Sequence, residues 1–275
     1  MSRRRQHMPW TAAGTATEHE GSADDVVRST GWVFNNQTGG ELDLAAFVAT
    51  GDDETMAYLH AFGLDTADIG QHTLVEIGSG IGRMTASFSR MFGSVLACDL
   101  DAAFLERCRE TVAQFGRPGR LRTVHVADGH SLQIGDASAD LAFSYITLQH
   151  CHRDDALGLA AEAVRVVRPG GHVALNFRTW TAADIVLWPT GKLIRLLWRV
   201  PVIGPVLTNQ RWATRLGWQA NRLSPGEVMG VVRRHLDDVR IVRSPKHGAF
   251  KVPGTTDDTF DGANRSHWWL IATVR

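Results

Sequence analysis

The sequence predicts an α/β fold built on a doubly wound, mostly parallel sheet. Three observations lead there. Across residues 72–178 short apolar runs alternate with helical patterns, the rhythm of repeated βα units. The run Leu74-Val75-Glu76-Ile77 passes into Gly78, Gly80 and Gly82, and Arg83 to Phe88 then start a helical pattern. That is a buried strand, a tight turn and a helix. Further on, Arg168-Pro169-Gly170-Gly171 stop a helix ahead of another apolar run, residues 172–177.

Taken in order, residues 1–40 read as a flexible N-terminal arm, because residues 1–30 are polar and without periodicity. Residues 41–275 then form one domain. Residues 41–64 carry a helical pattern, with Leu42, Leu44 and Phe47, then Met56, Leu59 and Phe62. Thr50-Gly51 interrupts it before the acidic start Asp52-Asp53-Glu54. After the glycine turn, residues 95–99 form a second strand ending in an acid. Residues 124–129 give a third, ending in Asp-Gly, and residues 139–144 a fourth. Residues 162–167 end a helix, and residues 172–177 are the fifth strand. Ser224 caps a helix that Pro225 opens and that runs to about Leu236. Residues 239–242 and 268–274 are the last two strands.

Between the fifth strand and the Ser224 helix lies an insertion, residues 179–222. It holds Trp180, Trp188, Trp198, Trp212 and Trp218, five of the nine tryptophans. Ligands of open α/β sheets bind beyond the carboxyl ends of the strands. A segment entering right after strand five therefore reads as a substrate lid. Lys192, Arg195 and Arg199 recur at i, i+3 and i+7, opposite Leu193, Leu196, Leu197 and Val200. A basic amphipathic helix of this kind lies on a membrane surface or sets a solvated face over a packed one. The packed arrangement is the commoner and is the expectation here.

The glycine turn carries the first chemistry. Glycines let the backbone approach a ligand where a Cβ would block it, and the helix N-terminus points unpaired N–H groups into the turn. A dinucleotide fingerprint needs G-x-G-x-x-G; here the third glycine comes one residue early and Arg83 follows it. The Lys-Ser/Thr ending of a phosphate loop is missing too. Asp99, 21 residues after Gly78, sits at the tip of strand two, where a carboxylate accepts hydrogen bonds from a ribose diol.

E-x-G-x-G-x-G after a strand, Asp99 at the next strand tip, the Asp128-Gly129 pair and R-P-G-G before strand five resemble the class I S-adenosylmethionine methyltransferase family over roughly residues 70–180. The resemblance implies a Rossmann-like, seven-stranded sheet with the last strand antiparallel and helices on both faces. It implies S-adenosyl-L-methionine as cofactor, held by Gly78, Ser79, Gly80 and Gly82. Asp99 takes the ribose, Leu100 covers the adenine, Asp128 and Gly129 meet its amino end, and Ser144 closes the tip of strand four.

Methyl transfer to an alcohol needs a base within hydrogen-bond reach. The loop after strand four, residues 144–155, contains His150, and the resemblance extends to sugar O-methyltransferases that use a histidine of this region as general base. With its unperturbed pKa of ~6.5, the rate is expected to rise with pH through that value. The alternative is that His150 only caps the following helix. Tyr145, Asn176, Trp180 and Trp188 are the expected acceptor contacts. His150, His152, Asp154 and Asp155 offer metal-ligating groups, but their spacing matches no ligand signature, so no metal is expected.

Composition bounds the rest. Hydrophobic content of 44% and charged content of 21% are those of a globular chain. Zero net charge gives no general affinity for nucleic acid. Three scattered cysteines, Cys98, Cys108 and Cys151, point to a reduced, cytoplasmic protein. No apolar stretch follows the initial arginines as in a signal peptide, and prolines and basic residues interrupt residues 185–207, so membrane contact is expected to be peripheral at most. The 29 basic residues include only Lys192, Lys246 and Lys251 as lysines, the coding bias of a GC-rich, actinobacterial-type genome. The expected function is O-methylation of a hydroxyl on a sugar, glycan or other natural product. The alternatives are an amphiphilic lipid or quinone acceptor at a membrane surface, or a non-catalytic S-adenosylmethionine-binding module. Oligomeric state stays open, a homodimer included.

Overall fold

A computed structural model describes residues 21–34, 42–245 and 263–275. Its sheet consists of β1 (Thr73–Ile77), β2 (Ser94–Asp99), β3 (Leu121–His125), β4 (Ala139–Ser144), β5 (Val167–Arg178), β6 (Leu236–Pro245) and β7 (Ala263–Val274). The strand order is β3-β2-β1-β4-β5-β7-β6. The first five strands pair in parallel, and β7 runs antiparallel between β5 and β6. Strand three ends at His125, short of the expected Gly129, because Val126 to Gly129 turn away over the site.

Side-chain alternation along the strands divides the core into two layers. Leu74, Val95, Leu141, Phe143 and Trp269 pack against α2 (Leu44–Phe62) and α3 (Thr85–Met91). Val75, Leu96, Ala142, Val173 and Leu270 pack against α5 (Arg153–Val166) and α9 (Pro225–Val232). Between β2 and β3 runs α4 (Ala102–Phe115). The predicted cap of α9 is present: Ser224 and Glu227 form a reciprocal capping box, with Pro225 in the first turn.

Two expectations are corrected. Part of the arm is structured: α1 (Ala23–Phe34) buries Ala23, Val26 and Val27 in one cluster with Phe47, Phe104 and Cys108. It is tied down through Asp24, which accepts from the Leu44 amide at 2.7 Å, and through the Ala23 amide, which donates to Glu110 at 2.9 Å. Residues 1–20 and 35–40 of that arm lie outside the described residues. Thr50-Gly51 does not break α2. A Cβ on Gly51 would stand 2.3 Å from the Arg83 carbonyl oxygen, so this glycine serves close approach of α2 to the glycine turn.

The insertion 179–222 forms α6 (Asp184–Leu197), α7 (Ile203–Thr208) and α8 (Arg211–Trp218). Asp184 is fully buried at its root, accepting from Arg222 Nε at 2.9 Å and from Arg178 at 3.2 Å. Ile194, Trp198 and Ala213 make its core. The expected packing of α6 is overturned. Leu193 and Leu196 of α6 and Val200 just beyond it are exposed, while Arg195 folds inward to the Gly217 carbonyl at 3.0 Å. Among the described residues no helix is long and apolar enough to cross a membrane.

Candidate active site

The carboxyl ends of β1, β2 and β4 open into a cleft of about 1200 Å³, including its mouth. Gly78, Ser79 and Gly80 form its floor. Gly78 and Gly80 have φ of +84° and +54°, and a Cβ on Gly78 would fall 2.1 Å from the Thr147 side chain. Only glycine fits there. Gly82, also at positive φ (+95°), is not in the lining. A Cβ on it would stand 3.1 Å from the Cys108 Cα, so its task is to seat α4 against the turn.

Asp99 lies in the cleft wall with Leu100. Its carboxylate accepts from the Gly80 amide at 2.8 Å and the Asp101 amide at 2.9 Å. Burial raises its pKa to about 6 against the pull of those amides. Glu76 stands behind the turn, accepting from the Thr85 hydroxyl at 2.6 Å, and burial raises its pKa to about 7. Both carboxyls sit where added hydrogen-bond donors or a cation favour their ionised forms. A glycine cradle that a Cβ would fill, with buried acids beside it, fits a ribose and a cationic amino-acid moiety.

The other expected cofactor contacts divide. Gly129 and Val126 line the cleft. Asp128 does not; it is exposed, and its carboxylate accepts from the His130 and Ser131 amides of its own turn at 3.0 and 2.9 Å. Ser144 is buried outside the lining and donates to the Ile77 carbonyl at 2.9 Å, fastening β4 to β1.

After Ser144 the chain turns sharply. Ile146 holds φ of +51°, rare for a β-branched residue, and Thr147 then donates to the Gly78 carbonyl at 3.3 Å. This brings the short turn Leu148–His150 over the cleft. His150 lines it. Its Nδ1 lies 3.1 Å from the Trp218 carbonyl and its Nε2 lies 3.2 Å from the Gln149 side-chain amide. The two rings stand 4.5 Å apart. Burial, reinforced by Arg178 and Arg222, lowers its pKa to about 4.

Among the acceptor contacts, Tyr145 lines the cleft and stacks on Trp269 at 5.6 Å. Asn176, Trp180 and Trp188 are outside it. Asn176 is buried and donates to the Trp268 carbonyl at 3.2 Å. Trp180 is half exposed and packs on Trp188 at 5.4 Å, and Arg222 lies 5.4 Å from the Trp188 ring. Among the described residues no three His, Cys, Asp or Glu are grouped to hold a metal ion. Asp155 instead faces His130 at 3.8 Å.

Several lining residues were not assigned to the site from the sequence, Glu76, Arg83 and Trp218 among them. Glu76 had a signal, as the one acid in a buried strand. Arg83, which pairs with the buried Glu54 at 2.7 Å and lies 5.9 Å from the Phe47 ring, had one in replacing a small residue after the turn. Trp218 had only its place in the predicted lid, and the return of the lid brings it to His150.

Residues 75–175 match the family model described as "Methyltransferase domain". A phosphoethanolamine N-methyltransferase of Triticum aestivum is 28% identical over 104 residues, 38% of this chain and 21% of that one. A malonyl-[acyl-carrier protein] O-methyltransferase of Hahella chejuensis is 32% identical over 105 residues, 36% of this chain and 34% of that one. The chain thus spans about a fifth to a third of these relatives' lengths. Magnesium protoporphyrin IX methyltransferase of Synechocystis, solved with bound S-adenosylhomocysteine, superposes with a TM-score of 0.53 at 14% identity, covering 92% of this chain and 97% of that one. The likeness in fold and the matched domain agree with the cradle. Residues 75–175 thus match a methyltransferase domain, the chain shares its fold with methyltransferases, and the cofactor this domain implies for the glycine turn is S-adenosyl-L-methionine.

Proposed function

We propose that this chain methylates a hydroxyl group, with His150 as the general base. The observation that carries the reading is the Nδ1 contact of His150 with the Trp218 carbonyl at 3.1 Å. A carbonyl only accepts, so Nδ1 carries the hydrogen and Nε2 keeps its lone pair. That lone pair accepts from the Gln149 amide at 3.2 Å; an acceptor hydroxyl takes over this donor role. With its pKa lowered to about 4, the imidazole is neutral throughout the physiological range and needs no prior deprotonation. S-adenosyl-L-methionine supplies a methyl group activated by a sulfonium leaving group. As the new O–C bond forms, the hydroxyl proton passes to Nε2 and later to solvent. Gly78, Ser79, Gly80 and Asp99 hold the cofactor. Tyr145 and Trp218 line the same cleft as the base, and aromatic walls suit the C–H faces of a sugar, a glycan or a related bacterial natural product.

Relatives named for N- and for O-methylation both occur, so the acceptor atom is decided at the base. The test is a screen for S-adenosylhomocysteine release across sugars, phenols, lipids and amines, run with wild type and His150→Ala. A hydroxyl acceptor whose turnover collapses in the variant supports the reading. An amine acceptor, or a hydroxyl acceptor turned over equally by both proteins, overturns it.

A further inference from the structure

The lid turns its apolar side outward. Of the thirteen large apolar side chains exposed among the described residues, ten lie between Trp180 and Trp212. On α6, Ile185, Pro189, Leu193 and Leu196 follow one another at i, i+4, i+8 and i+11 and form one stripe. Ile185 is 77% exposed, Leu193 55% and Leu196 62%. The opposite side carries Asp184, Gly191 and Ile194, all buried. The turn after α6 and the two helices that follow add Val202, Ile203, Val206 and Trp212. Monomeric proteins leave large apolar side chains exposed singly, and a cluster of this size marks an interaction surface.

Charge identifies what covers it. Residues 185–226 contain six basic residues and no Asp or Glu. Lys192 and Arg199 are exposed and lie one helical step to the side of the stripe. A second copy docking through the same face by a two-fold axis would set basic rim against basic rim. An anionic lipid surface instead offers hydrocarbon to the stripe and headgroup charge to Lys192 and Arg199. The lid root is fixed to the core by the buried Asp184, Arg178 and Arg222 cluster, so docking orients the whole domain. We infer that the outer face of the lid, centred on Ile185, Leu193 and Leu196, is a peripheral docking surface for an anionic bilayer. It is independent of the role given to His150.

Co-sedimentation of the full chain with vesicles tests this. Vesicles of equal parts phosphatidylglycerol and phosphatidylcholine are compared with pure phosphatidylcholine, at low and high salt. Wild type should bind the mixed vesicles, more weakly as salt rises. The triple variant I185D/L193D/L196D should bind at least ~10-fold more weakly, with affinity for S-adenosylhomocysteine unchanged. K192E/R199E should lose binding to the anionic vesicles, and it carries the test should the triple variant fail to fold. Failure of wild type to bind mixed vesicles overturns the inference, as does wild-type binding by either variant. A wild-type dimer that the triple variant dissolves, with no vesicle binding, makes this face an interface between copies instead. Vesicle failure with a His150-dependent hydroxyl acceptor leaves the proposed chemistry standing.

Discussion

Asp99 offers the most direct measurement of the cofactor site. Its carboxylate already accepts from the Gly80 and Asp101 amides, and the faces turned to the cleft are free to take a ribose diol. Asp99→Ala removes a charge-assisted acceptor worth ~1.5–3 kcal/mol, which is ~10–150-fold in Kd. It also frees the Gly80 amide, so the turn loses its anchor and the upper part of that range is expected. The pH dependence gives a second, independent reading. In the free protein burial holds the Asp99 pKa at about 6. Hydroxyl donors favour the ionised form, so cofactor binding lowers this pKa and releases a proton near pH 6. Affinity should therefore fall as pH drops through 6, by ~10-fold one unit below the pKa. Glu76, with its pKa at about 7, adds a step at higher pH, and Asp99→Asn should remove only the lower one. Titration calorimetry with S-adenosylhomocysteine, in buffers of different ionisation enthalpy, reads both affinity and proton release. A folded Asp99→Ala protein with wild-type affinity refutes the ribose assignment. Persistence of the step near pH 6 in Asp99→Asn refutes the pKa argument.

His150→Ala should lower turnover ~10²–10⁴-fold with S-adenosylhomocysteine affinity near wild type, while His152→Ala is mild and chelators are without effect; steady-state kinetics on the identified acceptor decides. Because burial lowers the His150 pKa to about 4, the rate attributable to it should be flat from pH 6 to 8, replacing the rise near ~6.5 that an exposed histidine gives, and a pH profile of kcat reads this. Gly82→Ala places a Cβ at positive φ and 3.1 Å from the Cys108 Cα, so urea denaturation should show a loss of ~1–3 kcal/mol. Trp218→Ala removes a wall of the cleft beside His150 but keeps the carbonyl that orients it; KM for the acceptor should rise several-fold with cofactor affinity unchanged, and an unchanged KM would remove Trp218 from the acceptor side.

The cofactor half of the site was legible because local rules determine it. A turn that must bring backbone near a ligand needs glycine at named positions, and Gly78, Gly80 and Asp99 stand where the spacing put them. Legibility weakened where one more contact decided the outcome. Gly82 has the same left-handed backbone as its neighbours, yet a helix packs where a ligand was expected. Asp128 lies outside the cleft lining and accepts from two amides of its own turn, as a short acidic side chain takes the nearest donors. Asn176 failed through strand parity. Along β5 alternate residues face opposite sides, and its register with Trp269 on β7 turns Asn176 to the Trp268 backbone.

The acceptor side was illegible for a different reason, and α6 shows it. A helical period divides a segment into two faces but does not say which face meets the protein. Composition alone favoured burying Leu193, Leu196 and Val200. What decided otherwise is shape. Gly191 lies so close to α8 that a Cβ would stand 2.7 Å from the Leu216 carbonyl oxygen, and a Cβ on Gly217 would meet the Trp198 ring at 2.4 Å. Two glycines and one fully buried tryptophan interlock α6 with α8 more tightly than a row of leucines can, since branched side chains hold backbones apart. Dispersion over such close surfaces grows steeply as the gap shrinks, so the small-residue face wins the interior. Arg195 then follows it inward, satisfied by the Gly217 and Gln219 carbonyls. The leucines are left outside, next to the residues that carry the charge. The same interlock brings Trp218, the last residue of α8, to the ring of His150 at 4.5 Å. Loosening it, for example with Gly217→Val, should therefore disturb the base and the outer face together. Two measurements read this: the pH profile of turnover and vesicle binding. A variant that shifts one and spares the other would show that the base and the lid are not held by one packing unit.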